Sequence, residues 1–132
     1  MKKRILVVED ESFWLNQINE SLIPFPCTVD TATCMQEALT SLRDFKYDII
    51  VSDYMFPLVN ESGWGNKPKR LGIELCQSVQ KENPKPIFIL HTNSGDDSVI
   101  DVVTKLGGVY HQKNPDGTVS ALIARVKEKL AL

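Results

Sequence analysis

Apolar runs of strand length alternate with segments of helical period along the whole chain, and this alternation constrains the fold more than any other property. Residues 5–8 are wholly apolar and rich in β-branched side chains, the pattern of a strand buried on both faces. From Ser12 onward Leu15, Ile18 and Leu22 share one helical face, and Pro24 and Pro26 end that helix. Residues 27–31 supply a short strand. Met35, Ala38, Leu39 and Leu42 then mark a second helix, for which Thr33 is the expected N-cap. Residues 47–52 make the clearest strand. Ile73, Leu75, Cys76 and Val79 give the apolar face of a helix over 72–79 that Asn83-Pro84 closes, and residues 87–90 are a fully apolar strand. Val99, Val102, Val103 and Leu106 have helical spacing, with Gly107-Gly108 as the stop. A half-polar strand over 109–112 follows. Val119, Leu122, Ile123, Val126 and Leu130 predict an amphipathic helix at the end.

Such alternation predicts a parallel sheet with helices on both faces and right-handed crossovers, in which ligands bind at the carboxyl ends of the strands. With 132 residues, of which 42% are hydrophobic and 24% charged, residues 1–132 are expected to form one domain with a proper core. The net charge of -2 gives no general attraction to nucleic acid or to an anionic membrane. No apolar stretch approaches the ~20 residues of a bilayer span. Cys27, Cys34 and Cys76 are odd in number and form no C-x-x-C, which points to reduced thiols and a cytoplasmic protein. His91 and His111 have no cysteine at ligand spacing, so zinc is not expected.

Carboxylates stand where strands end. Glu9 and Asp10 follow the run over 5–8, and Asp53 follows the run over 49–51. Taken singly, each has an ordinary explanation: an acidic helix start favoured by the helix dipole, or an Asp in a strand-terminal turn. Brought to one sheet edge by parallel strands, they are like charges whose proximity is costly without a cation among them. Together they read as a site for a divalent cation and a phosphoryl group.

With Asp48-Ile49-Ile50-Val51-Ser52-Asp53, Pro57 behind it, then Gly72-Ile73-Glu74-Leu75, Thr92 and Lys113 in order, nearly the whole sequence resembles the receiver domain of bacterial two-component response regulators, including the stand-alone chemotaxis-regulator type. The resemblance implies a flavodoxin-like three-layer (βα)5 sandwich with a five-stranded parallel sheet of order 2-1-3-4-5. It also implies that Asp53 is the phosphoacceptor, and that Mg²⁺ (or Mn²⁺) is held by Asp10, Asp53, Glu9 and the backbone carbonyl of Met55. Lys113 would set an ammonium against Asp53 and then the phosphoryl oxygens. Thr92 would donate its hydroxyl to that group, and Tyr110 would change rotamer as Thr92 moves. Aligning on Pro86 instead moves His91 into the place of Thr92.

Four departures from the family stand out. The segment 58–71 is long for a strand-to-helix loop, which usually has ~2–6 residues, and its polar part carries Trp64 among basic residues. A solvated insertion explains it; so does a contact that restricts which kinase docks. Asn93 stands where the family usually has Ala or Gly. Met55 brings no polar group to orient an attacking water, which implies a long-lived phosphoryl state. In addition, Lys113 precedes Asn114-Pro115 rather than Pro directly, which leaves the family's cis bond at that lysine without its proline.

The implied function is a phosphorylation switch rather than a turnover enzyme. Its donor would be a sensor histidine kinase or a histidine-phosphotransfer protein, and it would signal to a downstream protein as a monomer or a phosphorylation-dependent dimer. Alternatives are a phosphorelay intermediate and a degenerate receiver that only docks. A flavin protein of the same sheet needs amides rather than carboxylates after the first strand. An Asp-x-Asp phosphatase would need an acid where Met55 stands.

Overall fold

The computed structural model describes residues 2–61 and 66–132. Strands β1 (Lys3–Val8), β2 (Cys27–Ala32), β3 (Ile49–Ser52), β4 (Ile87–Thr92) and β5 (Val109–Gln112) alternate with helices α1 (Ser12–Leu22), α2 (Met35–Asp44), α3 (Leu71–Val79), α4 (Asp97–Lys105) and α5 (Ser120–Leu130). The strands form one parallel sheet of order β2-β1-β3-β4-β5, the flavodoxin-like arrangement. Because side chains alternate along a strand, each central strand feeds two cores. Leu6, Val8, Ile50, Phe88 and Leu90 pack against residues of α2, α3 and α4. Ile5, Val7, Ile49, Val51 and Ile89 pack against α1 and α5. Both faces are covered, which is why these runs are uniformly apolar. No helix among the described residues is long and apolar enough to cross a membrane.

Several sequence expectations need correction. The buried face of α1 runs through Trp14, Ile18 and Leu22, with Leu15 only partly buried. An i, i+4, i+8 row holds the first three on one line, so the helix is rotated from the face that Leu15 implied. The N-cap of α2 is Cys34, whose sulfur accepts the Glu37 N–H at 3.5 Å. Thr33 sits one residue earlier and gives both its N–H and its hydroxyl to the Glu37 carboxylate, at 2.7 and 2.9 Å. β3 starts at Ile49 rather than residue 47, and the Tyr47 hydroxyl bonds to Asp30 at 2.6 Å. β4 continues past Leu90 through His91 to Thr92.

The long connection after β3 is tied back at its base. Phe56 and Lys69 pair as an antiparallel bridge, with backbone bonds of 3.1 and 2.9 Å. The carbonyls of Pro57 and Leu58 each accept an N–H from the start of α2, from Met35 and Gln36 at 3.0 Å. Trp64, for which a partner contact was expected, lies outside the described residues.

Candidate functional site

The ladder extends one residue beyond three strands, and each of those residues has an ionisable side chain. Glu9 N–H bonds to the Ala32 carbonyl at 2.9 Å, Asp53 N–H to the Val8 carbonyl at 2.9 Å, and Lys113 N–H to the Thr92 carbonyl at 2.8 Å. Sheet hydrogen bonding thus fixes the backbone of all three at the carboxyl edge. Gly72 adds a constraint from α3. Its N–H binds the Tyr54 carbonyl at 2.9 Å. A Cβ there would collide with the Asp53 carbonyl oxygen and lie 2.8 Å from Tyr54 Cα. Only glycine lets the helix approach the turn this closely.

The charged groups converge. Glu9, Asp10 and Asp53 each offer an oxygen, and these oxygens lie within 4.8 Å of one another. Lys113 Nζ is 2.7 Å from Glu9 Oε1 and 2.8 Å from Asp53 Oδ2. Asp53 Oδ1 accepts the Tyr54 N–H at 2.6 Å, and Glu9 Oε2 accepts the Glu11 N–H at 3.2 Å. Glu9 and Lys113 are each only 2% exposed, and Asp53 8%, so water screens little of this charge. Trp14 closes the far side of Lys113, its ring centre 5.3 Å from Nζ. The ammonium reaches both carboxylates with no proline next to it.

One ammonium does not neutralise three carboxylates. Burial, then the charge of Asp53, pushes the Glu9 carboxyl up to about 8, against the pull of Lys113. Asp10 also shifts upward, through burial and then the charges of Asp53 and Glu11. For Lys113 burial opposes the charge, but bonds to Asp53 and Glu9 outweigh it and raise the pKa. The donor set therefore fits a hard divalent ion. It is all oxygen and anionic in excess, and its raised carboxyl pKa values are what a cation between them would reverse.

A cavity of about 410 Å³ opens over this cluster, lined by Asp10, Asp53, Met55, Thr92 and Lys113 among others. His91 does not line it. Its ring packs edge-on to Trp14 at 5.5 Å, on the other face of β4, and burial, with the charge of Lys113 next, lowers its pKa to about 3. The cavity position thus goes to Thr92. Tyr110 stands back from the cavity, its hydroxyl donating to the Ser94 carbonyl at 2.7 Å, while Ser94 N–H reaches Thr92 Oγ1 at 3.3 Å. Two further lining residues, Pro68 and Arg70, come from the long connection. Sequence reading missed them, because nothing in the local pattern reveals that Lys69 pairs back onto Phe56.

The response regulator receiver domain family matches residues 5–113. A protein-glutamate methylesterase/protein-glutamine glutaminase of Bacillus licheniformis is 26% identical over 131 residues, covering 96% of this chain and 33% of that protein. Response regulator ArlR of Staphylococcus aureus is 29% identical over 91 residues, covering 69% of this chain and 36% of its own length. The chain thus spans about a third of the curated relatives it matches. Among solved structures, the response regulator DrrB of Thermotoga maritima superposes with a TM-score of 0.77 at 26% identity, over 99% of this chain and 54% of that one. A CheY-like receiver domain of Methanospirillum hungatei, at 22% identity, shares the fold with a TM-score of 0.80 over 99% of this chain and 95% of its own. Sheet order, acidic edge and family match agree, and the chain belongs to the response regulator receiver domains of two-component signalling.

Proposed function

We propose that this receiver domain is a Mg²⁺-dependent phosphoacceptor in which Asp53 takes a phosphoryl group from a histidine kinase or histidine-phosphotransfer protein. The observation that carries the reading is the meeting of Glu9, Asp10 and Asp53 oxygens within 4.8 Å, with the Lys113 ammonium 2.8 Å from Asp53. Glu9, Asp10, Asp53 and the Met55 carbonyl would hold the metal, which supplies charge neutralisation for the transferring group. Phosphoryl transfer asks the protein mainly for alignment and charge. The Tyr54 N–H holds one Asp53 oxygen and Lys113 the other, which fixes the carboxylate plane for attack. As its P–O bond forms, the donor's P–N bond breaks, and the electron pair leaves on the imidazole nitrogen. Thr92 then donates its hydroxyl to a phosphoryl oxygen. Its movement is transmitted through Ser94, which bonds to both Thr92 and Tyr110.

The product is a switch whose altered surface around α4 and β5 binds a downstream partner. The match covers only a third of the methylesterase relative, so that protein's activity is no part of this reading. The test is intact mass after incubation with acetyl phosphate, with and without Mg²⁺. A mass gain of one phosphoryl group, dependent on Mg²⁺ and lost in Asp53→Ala, is expected. No gain in the wild type, or an undiminished gain in the variant, overturns the reading.

A further inference from the structure

Arg70 is, besides Lys113, the cationic side chain on the cavity wall among the described residues. Its backbone is pinned on both sides. Lys69 pairs with Phe56 just before it, and Gly72 bonds to Tyr54 just after it. As the N-cap of α3 it makes no side-chain cap bond. Among the described residues its guanidinium is in no close ion pair, although its charge adds to the Ser98 hydrogen bonds that lower the Asp96 pKa, whereas Lys113 is engaged directly by Glu9 and Asp53. The same wall carries Asp10, Glu11 and Asp53, so an approaching dianion meets repulsion there before it reaches the buried ammonium.

We propose that Arg70 is a phosphoryl-binding residue of this receiver, gripping the non-bridging oxygens of the donor at the cavity mouth and of the aspartyl phosphate after transfer. The proposal rests on the reading of Asp53 as phosphoacceptor. A guanidinium is always charged, and its planar fork matches two phosphoryl oxygens at once. With acetyl phosphate, the P–O bond to acetate breaks, its electron pair leaves on acetate, and a P–O bond to an Asp53 oxygen forms. No proton moves. Arg70 acts on the equatorial oxygens alone, and the bridge between Phe56 and Lys69 turns the long connection back to bring it to the cavity wall.

The experiment compares wild type, Arg70→Ala, Arg70→Lys and Asp53→Ala by intact mass over time, with acetyl phosphate below saturation and Mg²⁺ in excess. Mg²⁺ affinity is measured by calorimetry without donor. Arg70→Ala is expected to gain its phosphoryl group roughly five- to tenfold more slowly, an exposed charge-assisted contact being worth less than a buried one. Arg70→Lys should fall between the two. Mg²⁺ affinity should stay equal or rise in Arg70→Ala, because a cation has been taken from a cation site; structural damage would lower it. Equal rates in wild type and Arg70→Ala, or a slower rate with an equal loss of Mg²⁺ affinity, overturn the role of Arg70 and leave that of Asp53 standing. No gain in the wild type, or gain in Asp53→Ala, overturns both.

Discussion

Glu9 should make the metal-free protein less stable as pH rises, and replacing it with Gln should remove that loss. The carboxyl is raised from 4.5 to about 8 in the folded state, by burial first and the charge of Asp53 next. The sign follows from linkage. Between those two pH values the folded protein keeps a proton that the unfolded chain has released, so the stabilisation present below 4.5 is lost progressively toward 8. Each tenfold difference in proton affinity between the folded and unfolded chain is worth about 1.4 kcal/mol. The side chain is only 2% exposed, so the loss is on the order of a few kcal/mol. Gln is isosteric with the protonated acid and cannot ionise. Urea unfolding in EDTA should show wild type falling progressively below Glu9→Gln from pH 5 to about pH 8 and levelling off above it, the difference reporting Glu9 together with the Asp53 and Lys113 charges that face it. Excess Mg²⁺ at pH 8.5 should restore the wild type far more than the variant, since the ion takes the place of the proton. Parallel pH profiles of the two proteins would refute the reasoning.

Three more outcomes follow from the cavity and its supports. Met55 lines it, 42% exposed and without a polar group, so Met55→Asn should shorten the phosphoryl half-life roughly tenfold, short of the ~10²-fold of a full general base; an unchanged decay of the phosphorylated mass species counts against the water-orienting argument. Gly72→Ala drives a Cβ at the Asp53 carbonyl and should cost about 1–3 kcal/mol in urea unfolding, with slower phosphorylation because the Asp53 turn is pushed aside. Replacing residues 60–67 by a short Gly-Ser link, with Phe56, Lys69 and Arg70 retained, should alter which histidine kinase serves as donor while leaving acetyl phosphate transfer intact; unchanged preference across all kinases tested rejects a docking role for the insertion.

The central strands of this sheet were legible because burial on both faces leaves mostly apolar side chains, as in Ile5-Leu6-Val7-Val8 and Ile49-Ile50-Val51. The acidic edge was legible for a related reason. Glu9, Asp53 and Lys113 each follow a strand directly, and the parallel register carries adjacent strand ends to one level, as the pairing of Val8 with Ser52 shows. Helix rotation was harder to read. Trp14 and Leu15 are both apolar, and only packing against β1 and α5 decides that Trp14 turns inward to meet Lys113.

The connection after β3 was illegible for a different physical reason. Its anchors are backbone groups: Phe56 with Lys69, and the Pro57 and Leu58 carbonyls with the first N–H groups of α2. Every residue type offers the same N–H and C=O, so a contact made by them leaves no mark in the side-chain pattern. Yet those bonds decide where Arg70 goes. They also join the cavity wall to α2, because the carbonyls that satisfy its first turn lie just beyond Met55 on the chain that leaves Asp53. The Asp53 turn is therefore joined to Arg70 and to the start of α2 by a short run of backbone and these hydrogen bonds.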